Sequence, residues 1–391
     1  MGSVEVTHPK IAIYNLYWAT YGGGEQVSGA IAETLKTRCD VTLLGPEEPS
    51  IEATRARLGV DLSGCAWRKV VDDTEAGEAS ADFDVFINGT YRSHAVNQAP
   101  VGLYYVHFPE PPITSRRLTV EKIARAGLGA MKVAPRLPDR LAGVQRGLQR
   151  RVIDQSWSKS YTKFLSNSRY TAGWVKKLWD AESEIVYPPV RTTVKPGKKV
   201  ELITSIGRFF DPSLGHSKKQ RELLEAFTRI FSSREGVGSW KLSFVGGADS
   251  ASREYALAMR RGAIGLPVLV HLNAPRELVE TTLATASIYW HGGGFGEDAE
   301  LHPERFEHFG IAVVEAMAAG AVPVVFAAAG PAEIVRHGVD GFHWKTLDEL
   351  QSFTRQLMND EELRLKMSVS AQERAAEFSV EIFAQQINSL I

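Results

Sequence analysis

Apolar positions along this chain come in short runs, and the runs are separated by stretches of helical period. Ile11–Leu16, Val41–Leu44, Phe83–Ile87, Gly102–Val106 and Phe164–Ser166 read as buried strands. Glu25 to about Thr37 and Tyr170–Trp179 read as helices. The turn Gly22-Gly23-Gly24 joins the first strand to the first helix, so the chain opens with a β-α-β unit. The alternation pauses at Tyr187-Pro188-Pro189-Val190 and at Arg191–Lys199, whose Pro, Gly and basic residues suit a linker. It then restarts with Leu202–Ile206, Leu242–Val245, Val268–Leu272, Ile288–Trp290 and Val322–Phe326. Apolar strands alternating with helices predict parallel sheets covered on both faces. The fold class expected is α/β, with two Rossmann-like doubly wound domains facing a cleft. Their bounds are 1–190 and 191–376. A last helix over 377–391, with Ile382, Phe383, Ile387 and Leu390, is expected to pack back toward the first domain.

A length of 391 residues suits two domains, and 44% hydrophobic with 23% charged residues excludes wholesale disorder. Ile311–Ala332 carries one charge, Glu315, yet Gly320, Pro323, Gly330 and Pro331 break it. A buried helix, a tight turn and a buried strand fit it better than a membrane span. Ile11–Leu16 is too short, and interrupted by Tyr14 and Asn15, to be a signal peptide core. The two cysteines, Cys39 and Cys65, read as thiols in a reducing compartment. A cytoplasmic protein is expected.

The net charge of −1 argues against a nucleic-acid binder. It also conceals an imbalance. Between Thr114 and Lys163 stand twelve Lys or Arg and three acids, leaving the rest of the chain at −10. Leu118, Ile123, Leu128, Met131, Leu137 and Leu141 interleave with the basic residues. Such a segment suits either an anionic membrane surface, with the protein peripheral on its cytoplasmic face, or a solvated helical face packed on its own domain.

Two places carry candidate chemistry. Glu307 and Glu315 lie eight residues apart, with His308-Phe309-Gly310-Ile311 after the first. If Phe309 opens a helix, Glu315 lies two turns in, and the amides of Phe309, Gly310 and Ile311 form an anion site. A carboxylate also accepts both hydroxyls of a diol such as ribose. The spacing fits an ordinary helix with one buried Glu equally well. The second place is Arg208, at a strand end, with Lys218 and Lys219 following before a helix. An Arg fork and a Lys ammonium can converge on a diphosphate, or be two surface cations.

Together these residues resemble the retaining glycosyltransferases of family 4, which have the two-domain GT-B fold. Gly22-Gly23-Gly24-Glu25-Gln26-Val27, Tyr105-Val106-His107-Phe108-Pro109 and Tyr187-Pro188-Pro189-Val190 are similar to motifs of that family's first domain. Phe244-Val245-Gly246-Gly247, the Glu307…Glu315 pair before Ala316-Met317-Ala318-Ala319-Gly320, and Gly330-Pro331-Ala332-Glu333-Ile334-Val335 are similar to those of the second. The forms around His107 and His308 look most like the branch of α-1,2-mannosyltransferases of lipid-linked oligosaccharide assembly and its bacterial relatives.

The resemblance implies roles. Arg208 and Lys218 would hold the donor diphosphate, with Lys219 as the other candidate. Glu315 would bind ribose, and Glu307 the donor hexose near the amides of Phe309, Gly310 and Ile311. His107 would face the transferred sugar, Gly23 would let the first loop reach the phosphate, and Asn273 would lie beside the base. No cofactor and no metal would be needed. The donor expected is GDP-mannose, with UDP-glucose or UDP-GlcNAc as alternatives, and the acceptor a glycan or polyprenyl-linked glycan. A nucleotide-sugar-binding protein without transfer activity is the reading from another class.

Three patterns point elsewhere and are weak. Asp82-Phe83-Asp84 has a metal-binding form but begins a strand. His291, Asp298, His302 and His308 lack a zinc spacing. Gly292–Gly296 lacks the continuation of a dinucleotide loop.

Overall fold

The computed structural model describes residues 8–110, 155–212, 215, 217–232 and 238–391. The basic segment therefore lies, up to residue 154, outside the described residues. The chain divides into two compact units. One comprises residues up to Ser166 with Thr171–Glu184, the other Asn167–Tyr170 with Ile185–Ile391.

The first unit is built on β1 (Lys10–Tyr14), β2 (Asp40–Gly45), β3 (Ala66–Lys69), β4 (Val85–Asn88), β5 (Val101–Val106), β6 (Lys163–Ser166) and β7 (Ser183–Ile185). They form a seven-stranded sheet in the order β3-β2-β1-β4-β5-β6-β7. The pairs from β3 through β6 are parallel. Ile11, Ala12, Ile13 and Tyr14 of the central strand are wholly buried, which is why that run is apolar throughout. The edge strand β3 is mostly exposed and polar, and its residues carry no strand pattern that could be read in advance. Beyond β5 an aromatic cluster of Tyr104, Trp157, Tyr161, Phe164 and Trp179 fills the core, with Trp157 and Trp179 edge to face at 5.1 Å.

The second unit repeats the plan with β8 (Val200–Ile206), β9 (Lys241–Gly246), β10 (Val268–Leu272), β11 (Ala286–His291), β12 (Val322–Phe326) and β13 (Phe342–Trp344). Its six strands are all parallel, in the order β10-β9-β8-β11-β12-β13. In both sheets the order reverses once, between β1 and β4 and between β8 and β11. The carboxyl ends of the strands flanking such a reversal form the crevice where α/β sheets bind ligands.

Ile311–Ala332 folds as its breakers dictate. A helix over Ile311–Ala318 ends in a turn at Gly320, φ 81°, and β12 follows. Among the described residues no helix is long and apolar enough to cross a membrane. The residues Tyr187 and Val190, read as the end of the first half, belong to the second unit, where they pack with Phe309 and Phe378. The last helix spans Val380–Ser389 and buries Phe383 and Ile387, while Ile382 remains 39% exposed.

Lys199 directly precedes β8 and is half-buried. Its ammonium donates to the carbonyls of Ala286 at 2.8 Å and Ala319 at 2.5 Å, each just past a helix end. These carbonyls have no partner within their helices, and a cation there also complements the helix dipole.

Candidate active site

The carboxyl ends of β8 and β11 bring the predicted residues of the second unit together. Arg208 follows β8 by two residues and its guanidinium is largely exposed, with Nη2 3.5 Å from Asp249 Oδ2. The Arg208 carbonyl accepts from Gln220 Nε2 at 3.0 Å, which ties the strand end to the start of the Gln220–Ser232 helix. Lys218 precedes that helix, and its Nζ forms an ion pair with Glu307 Oε2. Both side chains are about four-fifths buried, at 22% and 18% exposure. His291, the last residue of β11, places Nε2 3.5 Å from the same Oε2. Burial pushes its imidazole below the usual range, and the Glu307 carboxylate opposes that shift.

The loop carrying Glu307 is set by two glycines. Gly310 takes φ 111°, ψ 59°, a left-handed conformation that side chains resist, and caps the Ile311–Ala318 helix. The expectation that Phe309 opens the helix is thereby corrected. Phe309 lies ahead of the cap with its ring buried against Tyr187 and Phe378 at 5.8 and 5.6 Å. The first-turn amides are those of Ile311 and Ala312, since the Val313 N–H already donates to the Gly310 carbonyl at 2.9 Å. Glu315 accordingly stands one turn into the helix, not two. The second glycine is Gly330, whose N–H donates to the Glu307 carbonyl at 3.0 Å. A Cβ there would lie 2.4 Å from the Phe309 backbone, so only glycine lets the two segments meet.

Glu315 is buried, and burial raises its carboxyl above the usual range. Arg276 Nη2 lies 3.8 Å from its Oε1.

The two adjacent lysines part company. Lys219 takes φ 59°, is buried, and donates to Glu297 Oε1 at 2.6 Å. Glu297 also accepts from Arg305 at 3.1 Å, and these cations hold its carboxyl low against the effect of burial. Lys219 thus braces the loop after β11, and Lys218 is the lysine that meets Glu307. Asn273 follows β10 with φ 53°. Its Oδ1 accepts from the Ala248 N–H at 2.9 Å, so its carboxamide braces the loop after β9.

In the first unit the ends of β1, β4 and β5 surround a cavity of about 370 Å³, lined by Tyr17, Thr20, Gly24, Glu25, Tyr91 and His107 among others. Gly23 is the first residue of the Gly23–Leu35 helix. Glu25 fixes the turn before it, accepting from the Gly22 N–H at 2.6 Å and Thr20 Oγ1 at 2.7 Å. His107 follows β5, and its Nε2 lies 3.0 Å from the Gly89 carbonyl. A carbonyl only accepts, so Nε2 carries the proton. Burial lowers the pKa of this imidazole too. Tyr17 and Tyr91 present their rings at the mouth, 42% and 37% exposed. Neither they nor His291 stood out as site residues, because no spacing links them to the motifs.

Among the described residues no group of three His, Cys, Asp or Glu side chains is arranged to hold a metal ion. Asp82 pairs with Arg68 of β3 at 2.6 Å, and Asp84 accepts from the Lys10 N–H of β1 at 2.8 Å, so the Asp-Phe-Asp triplet is tied into the sheet.

Comparison with known proteins gives these features a context. Residues 195–374 match the family model described as glycosyl transferases group 1. The chain is similar to GDP-Man:Man(3)GlcNAc(2)-PP-Dol alpha-1,2-mannosyltransferase of Dictyostelium discoideum, 30% identical over 246 residues, 58% of this chain and 46% of that protein. The chain thus spans about half the length of that relative. It is also similar to alpha-1,3/1,6-mannosyltransferase ALG2 of the same organism, 22% identical over 324 residues, 74% of this chain and 69% of that protein. Among solved structures, Anabaena Alr3699/HepE in complex with UDP and glucose aligns with a TM-score of 0.66, covering 98% of this chain and 99% of that one at 14% identity. The chain carries a glycosyltransferase group 1 domain in its second unit, on the GT-B pattern of two Rossmann-like parallel-sheet units.

Proposed function

We propose that this protein is a retaining, metal-independent glycosyltransferase that moves a hexose from a nucleoside-diphosphate sugar to a hydroxyl of a glycan or lipid-linked acceptor. The observation that carries the reading is the convergence of Lys218 and Glu307 beside Arg208, where β8 and β11 end. Breaking the anomeric bond develops negative charge on the departing diphosphate. The Arg208 fork and the Lys218 ammonium stabilise that charge, aided by the amides at the start of the Ile311–Ala318 helix. Glu307, released from Lys218 by the diphosphate, accepts from hexose hydroxyls. Glu315 accepts from the ribose hydroxyls.

Retention without a covalent adduct needs the acceptor hydroxyl to attack on the face the diphosphate leaves. The new C–O bond forms as the old one breaks, and the hydroxyl proton departs with the diphosphate. His107, whose Nε2 lies 3.0 Å from the Gly89 carbonyl, is the first-unit residue to which the resemblance gives a role toward the sugar. A covalent glycosyl–enzyme on any carboxylate would contradict this scheme.

GDP-mannose is the donor favoured, on the strength of relatives named for it. We place the enzyme peripherally on the cytoplasmic face of a membrane, because the basic segment 114–163 suits an anionic surface. The test of the donor is thermal stabilisation by GDP, UDP, ADP and their sugars. Stabilisation by GDP and GDP-mannose supports the assignment, and stabilisation by UDP compounds alone overturns it. Sedimentation with anionic vesicles, reversed by salt, tests the membrane surface; equal sedimentation with neutral vesicles contradicts it.

A further inference from the structure

His291 occupies a position that packing alone does not explain. It ends the central strand β11, whose residues are all buried, and its own side chain is 6% exposed. Its backbone is fixed on both sides, by the β11–β12 register with Val325 and by Trp344 Nε1 donating to its carbonyl at 3.2 Å. The ring therefore points where the strand end aims it. Neither ring nitrogen has a hydrogen-bond partner, which is uncommon for a buried imidazole. Nε2 nevertheless faces Glu307 Oε2 at 3.5 Å, just beyond a good hydrogen bond. The following glycines make room for this approach. A Cβ on Gly293 would stand 3.1 Å from Nε2 and Cε1 and 3.7 Å from Glu307 Cβ.

The same Oε2 is held by Lys218. Under the function proposed above, Lys218 turns to the diphosphate when donor binds. Glu307 then gives up the Lys218 contact at the moment its orientation toward the hexose matters. His291 Nε2 is already aimed at the oxygen that Lys218 held.

We propose that His291 is a positioning residue for Glu307: its Nε2–H takes over the carboxylate when Lys218 moves to the diphosphate, and holds it against the donor hexose. The inference rests on the roles given to Lys218 and Glu307. A short contraction of the existing 3.5 Å separation completes the hydrogen bond. No proton is transferred, and His291 touches no reacting atom.

The test uses the full chain with His291→Phe, which keeps an aromatic ring without a donor, and His291→Gln, whose amide N–H reaches a similar place. The expected result is a kcat at least tenfold lower for H291F, with GDP affinity within twofold of the parent and a similar Tm. H291Q is expected to recover most of the kcat. A merely structural histidine predicts the reverse, with Tm moving and the two variants alike in kcat per folded protein. Parental kcat in H291F, or H291Q as impaired as H291F, overturns the proposal. If H291F does not fold, H291Q is compared with H291N, whose amide is too short to reach Glu307; equal kcat in those two overturns it. Glu307→Ala in the same assay separates the two levels. Full activity there refutes the role of Glu307 and this inference with it, whereas an inactive E307A beside a fully active H291F refutes this inference alone.

Discussion

Lys218 and Glu307, 89 residues apart in sequence, meet as an ion pair where the central strands of the second unit end. Under the proposed function the pair joins two groups that a sugar nucleotide would need separately, one for phosphate and one for hydroxyls, and donor binding exchanges this contact for two others. Neither charge is wholly buried, so the exchange does not strand an ion in a dry core.

The first prediction separates the adjacent lysines. Lys218→Ala is expected to lower kcat/KM by about 10²–10³-fold, the usual effect of removing one charge-stabilising donor, with little change in Tm. Lys219→Ala is expected to destabilise the fold by about 1.5–3 kcal/mol, the usual worth of a hydrogen bond to a charged group, with Arg305 still paired to Glu297. Steady-state kinetics and thermal unfolding of both variants check this. Equal kinetic effects at equal stability contradict it.

That distinction was not legible in the sequence, and the reason is physical. Lys218 and Lys219 are adjacent and chemically identical, and only the left-handed backbone at Lys219 sends one ammonium to Glu297 and the other to Glu307. The alternation of strands and helices was legible, because central strands such as β1 are buried on both faces and read as apolar runs. The strands β3, β7 and β13 were not, since β3 and β7 bury no residue and β13 has only three. Glu307, Glu315 and Arg208 stood out through motif spacing. The start of the helix between the two acids was misplaced because Gly310 adopts φ 111° instead of continuing into the helix. His291 was weighed as a metal ligand, and its relation to Glu307 depends on where β11 ends.

Glu315 supplies a prediction in pH. Its folded-state carboxyl is raised by burial, so between the ordinary Glu range and that raised value the folded chain holds more protons than the unfolded one. The stability it contributes is complete at low pH and lost as pH rises through that window. Glu315→Gln is therefore expected to be at least as stable as the parent at pH 7, with the difference vanishing near pH 4. Its affinity for GDP should fall, and its preference for GDP over the 2′,3′-dideoxy analogue should disappear. Unchanged discrimination between these nucleotides contradicts the ribose role.

The imidazoles of His107, His291 and His343 are all lowered by burial. Each unfolded histidine binds a proton near pH 6.5 that the folded one refuses. Stability is therefore expected to fall as pH drops from 7 to 5. His107→Gln is expected to flatten that fall measurably in chemical denaturation. A variant with the parental slope contradicts the burial account of His107.

Gly330→Ala tests the support beneath Glu307. Its added methyl meets the Phe309 backbone at 2.4 Å, and such overpacking costs about 1–3 kcal/mol. Because the displaced backbone leads directly from Glu307, kcat is expected to fall along with Tm. A parental kcat in the folded variant would show that the loop tolerates the shift.

Release of GDP from GDP-mannose, measured with and without a polyprenyl-diphosphate glycan acceptor in the presence of a metal chelator, tests the central claim most directly. The account predicts acceptor-dependent release, a mannosylated product of retained configuration, and loss of both in Lys218→Ala and Glu307→Ala. Tight GDP-mannose binding without transfer to any acceptor, or undiminished transfer by both variants, would contradict it.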